Sequence, residues 1–228
     1  MRGKLHIQIT KMFGNFNLKG NRSCLRTDDE INSINKEEAD SSFKIYKKKY
    51  IDTLLMSKGF FKYKTNGYVR CNNVDVLEYI GLQKERYGSK TFTVNCALTP
   101  LYIHYDFPQF ISDERIGKLI LQEDVWWDYV NAEIANVSFA NVANAIETFV
   151  IPWFDGHSTD DSIKEMLLLK QHNRGYLSLY EQTWLERIDN NKDCSTAIRE
   201  NAQLFALPKR MGLILGSKEH VQNVVKKR

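Results

Sequence analysis

Asp155-Gly156-His157-Ser158 is the stretch whose residue types come nearest to acid and base chemistry, because an imidazole beside a carboxylate can be oriented and made more basic. Asp155 also ends an apolar run, where burial would raise its affinity for a proton and suit it to general acid or base work. The plainer reading is loop hydrogen bonding after Pro152 for Asp155 and, for His157, a solvated loop histidine beside a helix cap. Gln83 stands in an apolar strand pattern, where a buried amide must find partners for its donors and acceptors, and a structural role is expected. Trp126-Trp127 concentrates aromatic area of the kind that anchors protein interfaces. Two neighbouring tryptophans do not share one pocket easily, so one of them is expected to be partly exposed.

Other chemistries lack their residues. The histidines His6, His104, His157, His172 and His220 show no metal-ligand spacing, and no metal or other cofactor is expected. Phosphate-cradling glycine loops and the Gly-x-Ser-x-Gly elbow are absent. The acidic run Asp28-Asp29-Glu30 lies in a poorly patterned stretch and reads as an interface candidate, not as a paired-carboxylate site. Lys47-Lys48-Lys49 and Lys226-Lys227-Arg228 could meet phosphate, with Tyr46 and Tyr50 nearby for stacking, but solvated faces are the commoner fate of such runs. A net charge of +4 from 32 basic and 28 acidic residues is not the concentrated positive field that nucleic-acid backbones select, so nucleic acid is not the expected partner.

The elements that must position these residues follow from periodicity. Residues 1–36 show no sustained period and form an extension of low definition, and 37–228 read as one domain. Phe43, Tyr46, Tyr50 and Leu54 line one helical face, capped by Asp40 or Ser41 and stopped by Gly59. Asn66-Gly67 between aromatic-rich runs predicts a hairpin. Strands are expected over Val74 to Gln83 and over Lys90 to Leu98, where Phe92, Val94, Cys96 and Leu98 alternate with their neighbours. Leu101 to Tyr105 and Arg115 to Leu121 are further strand candidates. Phe139, Val142, Ala143, Ile146, Phe149 and Val150 predict a helix capped by Ser138 and ended by Pro152. Later helices are expected after Ser158-Thr159-Asp160, ending near Gly175, then over Leu177 to Ile188, over Ser195 to Leu207 and from Ser217 onward. Strands early and helices late predict an α+β fold, an antiparallel sheet in the first half packed by helices mainly from the second.

No secretory pattern opens the sequence, and the stretch from Phe139 to Phe154 is polar-interrupted and short for a bilayer, so a cytoplasmic protein without a membrane partner is expected. Cys24, Cys71, Cys96 and Cys194 lack any Cys-x-x-Cys spacing and read as free thiols.

The order Gly59-Phe60, Asn66-Gly67-Tyr68-Val69-Arg70, Leu82-Gln83-Lys84, Phe92-Thr93-Val94-Asn95, Trp126-Trp127 and Ile151-Pro152-Trp153-Phe154-Asp155 resembles the bacterial domain-of-unknown-function 4304 family over roughly residues 43 to 170. The resemblance carries no catalytic signature. It implies a compact bacterial cytoplasmic protein, and some relatives look like immunity proteins kept beside contact-dependent or secreted toxins. The expected function is therefore one-to-one binding of a cognate protein such as a toxin. The alternative is a small-molecule or nucleic-acid-processing enzyme with its acid or base near Asp155 and His157.

Overall fold

The alternation around Phe92 becomes the central strand of a six-stranded antiparallel sheet in a computed structural model that describes residues 27, 29, 31, 34–190 and 194–213. Strands β1 (Phe61–Tyr63), β2 (Gly67–Cys71), β3 (Val76–Lys84), β4 (Thr91–Pro100) and β5 (Ser112–Arg115) lie side by side in chain order, and β6 (Trp127–Asp128) shares the outer edge of β4 with β5. The expected hairpin forms, but Gly67 already pairs with Tyr63, so the turn itself is residues 64–66, with Lys64 at φ 51°.

Helices cover one face of this sheet. Helix α1 runs through Lys36–Tyr46, a wider π turn over Lys47–Asp52, and Thr53–Ser57. Its cap is Asn35, whose side chain accepts from the Glu38 amide at 3.2 Å, and not Asp40 or Ser41, which lie inside the helix. Gly59, at φ +84°, ends it as expected. The π turn inserts one residue, so the buried face slips by one position. Phe43 is buried, but Ile51 and Leu55 take the places expected of Tyr50 and Leu54, which are half-buried.

Helix α2 is Ile116–Leu121. This segment had the look of a strand, yet Ile116, Leu119 and Ile120 stand at i, i+3 and i+4, which is helical spacing, and only Ser112–Arg115 joins the sheet. Helix α3, Ala132–Gly156, is longer than its apolar pattern suggested. Asn131 caps it, accepting from the Ile134 amide at 2.9 Å, and Ser138 is buried within it. Pro152 does not end it. A π turn over Ile146–Val150, in which the Ile151 amide reaches back to the Ile146 carbonyl, moves the preceding carbonyls off the pyrrolidine ring. By length and composition α3 could cross a bilayer, but Phe139, Val142, Ile146, Val150 and Phe154 are buried against α1 and the sheet, as in a core helix. Phe43 of α1 meets Phe92 of β4 at 5.5 Å and Phe139 of α3 at 5.1 Å, and Phe92 stacks on Phe139 at 4.6 Å. These rings join the three elements into one core.

Helices α4 (Asp160–Arg174) and α5 (Leu179–Asp189) begin with capping boxes built on Thr159 and Ser178, and Gly175 ends α4 at φ +81°. Helix α6 (Ser195–Leu204) closes part of the second sheet face with Ala202 and Phe205. The helix expected from Ser217 lies outside the described residues. The segment expected as a strand over Leu101 to Tyr105 buries every second residue, Leu101, Ile103 and Tyr105, but joins no ladder. The buried Asn201 of α6 instead donates from Nδ2 to the carbonyls of Leu101 and Ile103, at 2.7 and 2.6 Å. Asn201→Ala should therefore lower stability by about 2 kcal/mol, because two buried carbonyls lose their donor. A lower urea midpoint at unchanged slope would show this, and an unchanged midpoint would contradict the role given to Asn201.

Candidate functional site

Strand alternation divides the polar and apolar residues between the two faces. Val76, Ile80 and Leu82 of β3 and Phe92, Val94, Cys96 and Leu98 of β4 belong to the core under α1 and α3. Tyr79, Gly81 and Gln83, with Thr93, Asn95 and Ala97, therefore face the opposite side. Registry aligns them in rows: Tyr79, Ala97 and Asp113; Gly81, Asn95 and Arg115; Gln83 and Thr93. Strand β6 joins the start of β4 through the pairs Thr91–Asp128 and Phe92–Trp127, and Trp126 directly precedes it.

Gly67 and Gly81 are paired in the ladder, and the Tyr79 ring lies across both. A Cβ at Gly81 would overlap the Tyr79 hydroxyl, and one at Gly67 would come within 3.0 Å of the same ring. Phe110 stacks on Tyr79 at 3.9 Å. Burial, and then the nearby Tyr63 phenol, push the Tyr79 ionisation up, so this wall carries a neutral hydroxyl.

Between that wall and α2 lies an open groove of about 470 Å³. Gln83 and Asn95 are on its lining, joined by one hydrogen bond from Asn95 Nδ2 to Gln83 Oε1 of 2.9 Å. Whichever way the two amides are turned, a single bond between them leaves an N–H group on one and a carbonyl on the other unused. Arg115 crosses the far side, paired with Asp124 at 2.6 Å, its guanidinium carbon 5.3 Å from the centre of the Trp126 ring. Glu114 is shared with Arg174 at 3.4 Å. Asp113 is exposed and its carboxylate has no ion pair or hydrogen bond among the described residues.

The two tryptophans separate as their adjacency required. Trp127 is 3% exposed and packs beside Phe92, with its indole N–H buried and unpaired, whereas Trp126 is half-buried at the groove. Gln83 has the structural bond expected of it and also lines the groove. Asp29 is exposed, and Asp28 and Glu30 lie outside the described residues.

Asp155 and His157 stand at the other face, at the end of α3. The Asp155 side chain is 65% exposed and accepts from Arg70 Nη2 at 3.2 Å, while His157 Nδ1 is 2.7 Å from the Trp153 carbonyl oxygen. Each is held by a different partner. The lysine run is likewise divided: Lys47 donates to the Thr65 carbonyl at 2.7 Å, and Lys49 lies 4.7 Å over the Tyr50 ring.

The sequence reading missed the groups that hold Asp155. Glu78 is 1% exposed and takes Arg70 Nε at 2.5 Å, across the β2–β3 ladder. Arg70 also donates to the Lys58 carbonyl at 3.1 Å and lies 4.8 Å over the Phe60 ring. Glu78 is legible in retrospect as the one charge inside Val76-Leu77-Glu78-Tyr79-Ile80. A second buried acid, Asp52, accepts from Tyr68 and pairs with Lys62. Burial alone would raise its proton affinity, but those two partners hold it below the ordinary aspartate value.

Burial raises Glu78 above the ordinary glutamate value of 4.5, Arg70 opposes this, and Asp155 adds to it. A folded-state value above the unfolded one means that Glu78 favours folding most below pH 4.5 and progressively less as pH rises through its raised value. Glu78→Gln should therefore gain stability relative to the parent as pH rises across that window, measured by urea midpoints; a difference independent of pH would refute the assignment. Arg70→Ala should cost about 3 kcal/mol, since it leaves Glu78 buried without its cation.

No curated protein and no solved structure matches the chain. The sequence profile described as "Domain of unknown function (DUF4304)" matches residues 51–156, from the π turn of α1 to the last residue of α3. That span includes all six strands and the groove lining from Tyr79 to Asp124 and leaves out α4, α5 and α6, a narrower reach than the 43 to 170 expected. Residues 51–156, a little under half of the chain, are thus similar to the domain-of-unknown-function 4304 family.

Proposed function

We propose that this chain is a protein-binding protein of the bacterial cytoplasm, an immunity factor that neutralises a cognate toxin by direct one-to-one contact. The partner docks on the groove face of the sheet. The observation that carries this reading is the Arg115 guanidinium set over the half-buried Trp126 ring beside an open, concave, polar surface. Tryptophan, tyrosine and arginine dominate the energetics of protein interfaces, because they bury large area with few degrees of freedom and still offer a donor. Here Trp126, Tyr79 and Arg115 are held in place by intramolecular contacts before any partner arrives, which lowers the ordering cost of binding. The groove also avoids the core under α1 and α3, so docking requires no unfolding.

Affinity capture from native cells, followed by mass spectrometry and stoichiometry, tests the reading. One partner at one-to-one ratio, toxic when produced alone and harmless when co-produced with this chain, is the expected result. Trp126→Ala should weaken that complex by about 2 kcal/mol, roughly thirtyfold, while Asp155→Asn should leave it unchanged. Equal killing with and without the chain would refute the immunity role.

A further inference from the structure

We propose that the groove over Gln83 and Asn95 is a receptor for a guanidinium group, so that the docking partner inserts an arginine side chain there. The proposal rests on the docking face described above and names the chemistry that the face selects.

The charges of the lining are mostly neutralised within the protein. Arg115 is paired with Asp124 and Glu114 with Arg174, whereas the Asp113 carboxylate has no ion pair or hydrogen bond among the described residues. Lys118, the remaining cation of the lining, is exposed on the short helix α2 and makes no ion pair or hydrogen bond with Asp113. Asp113 thus remains as an exposed carboxylate at the end of the row that runs through Ala97 to Tyr79. The adjoining row carries Asn95, whose amide pair with Gln83 has one carbonyl left over. A carboxylate and an amide carbonyl on adjacent rows ask for one guest that donates in two directions at once. The neutral Tyr79 hydroxyl on the wall offers a third acceptor.

A guanidinium group is planar, permanently charged and carries five donors in a fixed fork, so it can serve the carboxylate and the carbonyl together. An ammonium group is a compact and strongly hydrated point charge that satisfies the carboxylate but does not span to the amide edge. The aromatic wall of Tyr79 and Phe110 gives the aliphatic stem of an arginine an apolar surface.

The experiment is a titration of the ¹⁵N-labelled chain with N-acetyl-arginine amide, and in parallel with the lysine and the neutral citrulline analogues. The arginine probe should shift the side-chain amide signals of Gln83 and Asn95 and the indole signal of Trp126 saturably. The citrulline and lysine probes should bind about tenfold more weakly, the loss expected for one charge-assisted hydrogen bond. Asp113→Asn, at an exposed position and with an unchanged melting curve as control, should reduce arginine binding by a similar factor, and Asp113→Glu should retain part of it. Absence of saturable shifts at Gln83 and Asn95, equal binding of lysine, or full binding by Asp113→Asn would each overturn the proposal. Those outcomes would leave partner capture and its dependence on Trp126 untouched, so failure here is distinct from failure of the immunity reading.

Discussion

The pairing of the half-buried Arg70 with the buried Glu78 is the constraint on which the arrangement of helices over the sheet depends. It joins β2 to β3 across the ladder, and from the same guanidinium Arg70 reaches the carbonyl near the end of α1 and the carboxylate near the end of α3. A buried carboxylate is tolerated only where its charge is met, so the position of Glu78 dictates where Arg70 must be. Arg70 in turn fixes the ends of the two helices that contribute Phe43 and Phe139 to the core. The buried Phe60 ring, under the Arg70 guanidinium and packed on Phe154 of α3, supplies the apolar cover on that side of the pair.

The opposite face follows from the same strands by alternation. Once Ile80, Leu82, Val94 and Cys96 turn toward the helices, Tyr79, Gly81, Gln83 and Asn95 have to face the other way. Two paired glycines leave room there for Tyr79 to lie flat on the sheet, and α6 covers the region near Phe205 without filling the space toward α2. Core and groove are therefore products of one register. A slip of one residue would exchange them.

Much of the fold was legible in the sequence because it rests on local rules. Alternation around Phe92, the glycine stops at Gly59 and Gly175, and the cap at Thr159 all appear where their chemistry predicts. The errors have a common physical origin in longer-range effects. Two π turns shifted a helical face and carried α3 through Pro152, and no local propensity announces such turns. Leu101, Ile103 and Tyr105 alternate in burial because Asn201, about a hundred residues away, holds their backbone in place of a neighbouring strand. In the site, Gln83 and Trp126 could be singled out by type, an amide among apolar residues and a tryptophan beside another. Arg115, Asp113 and Asn95 could not, because ordinary polar residues acquire meaning only when the register sets them side by side.

Hydrogen–deuterium exchange of the chain alone and with its captured partner locates the docking face, since it reports which backbone becomes protected without altering any side chain. Docking on the groove predicts new protection over residues 79–83, 95–97 and 110–126, with the solvent side of α1 and α3 unchanged. Protection confined to α1 and α3, with the groove segments exchanging as in the free chain, would contradict the account.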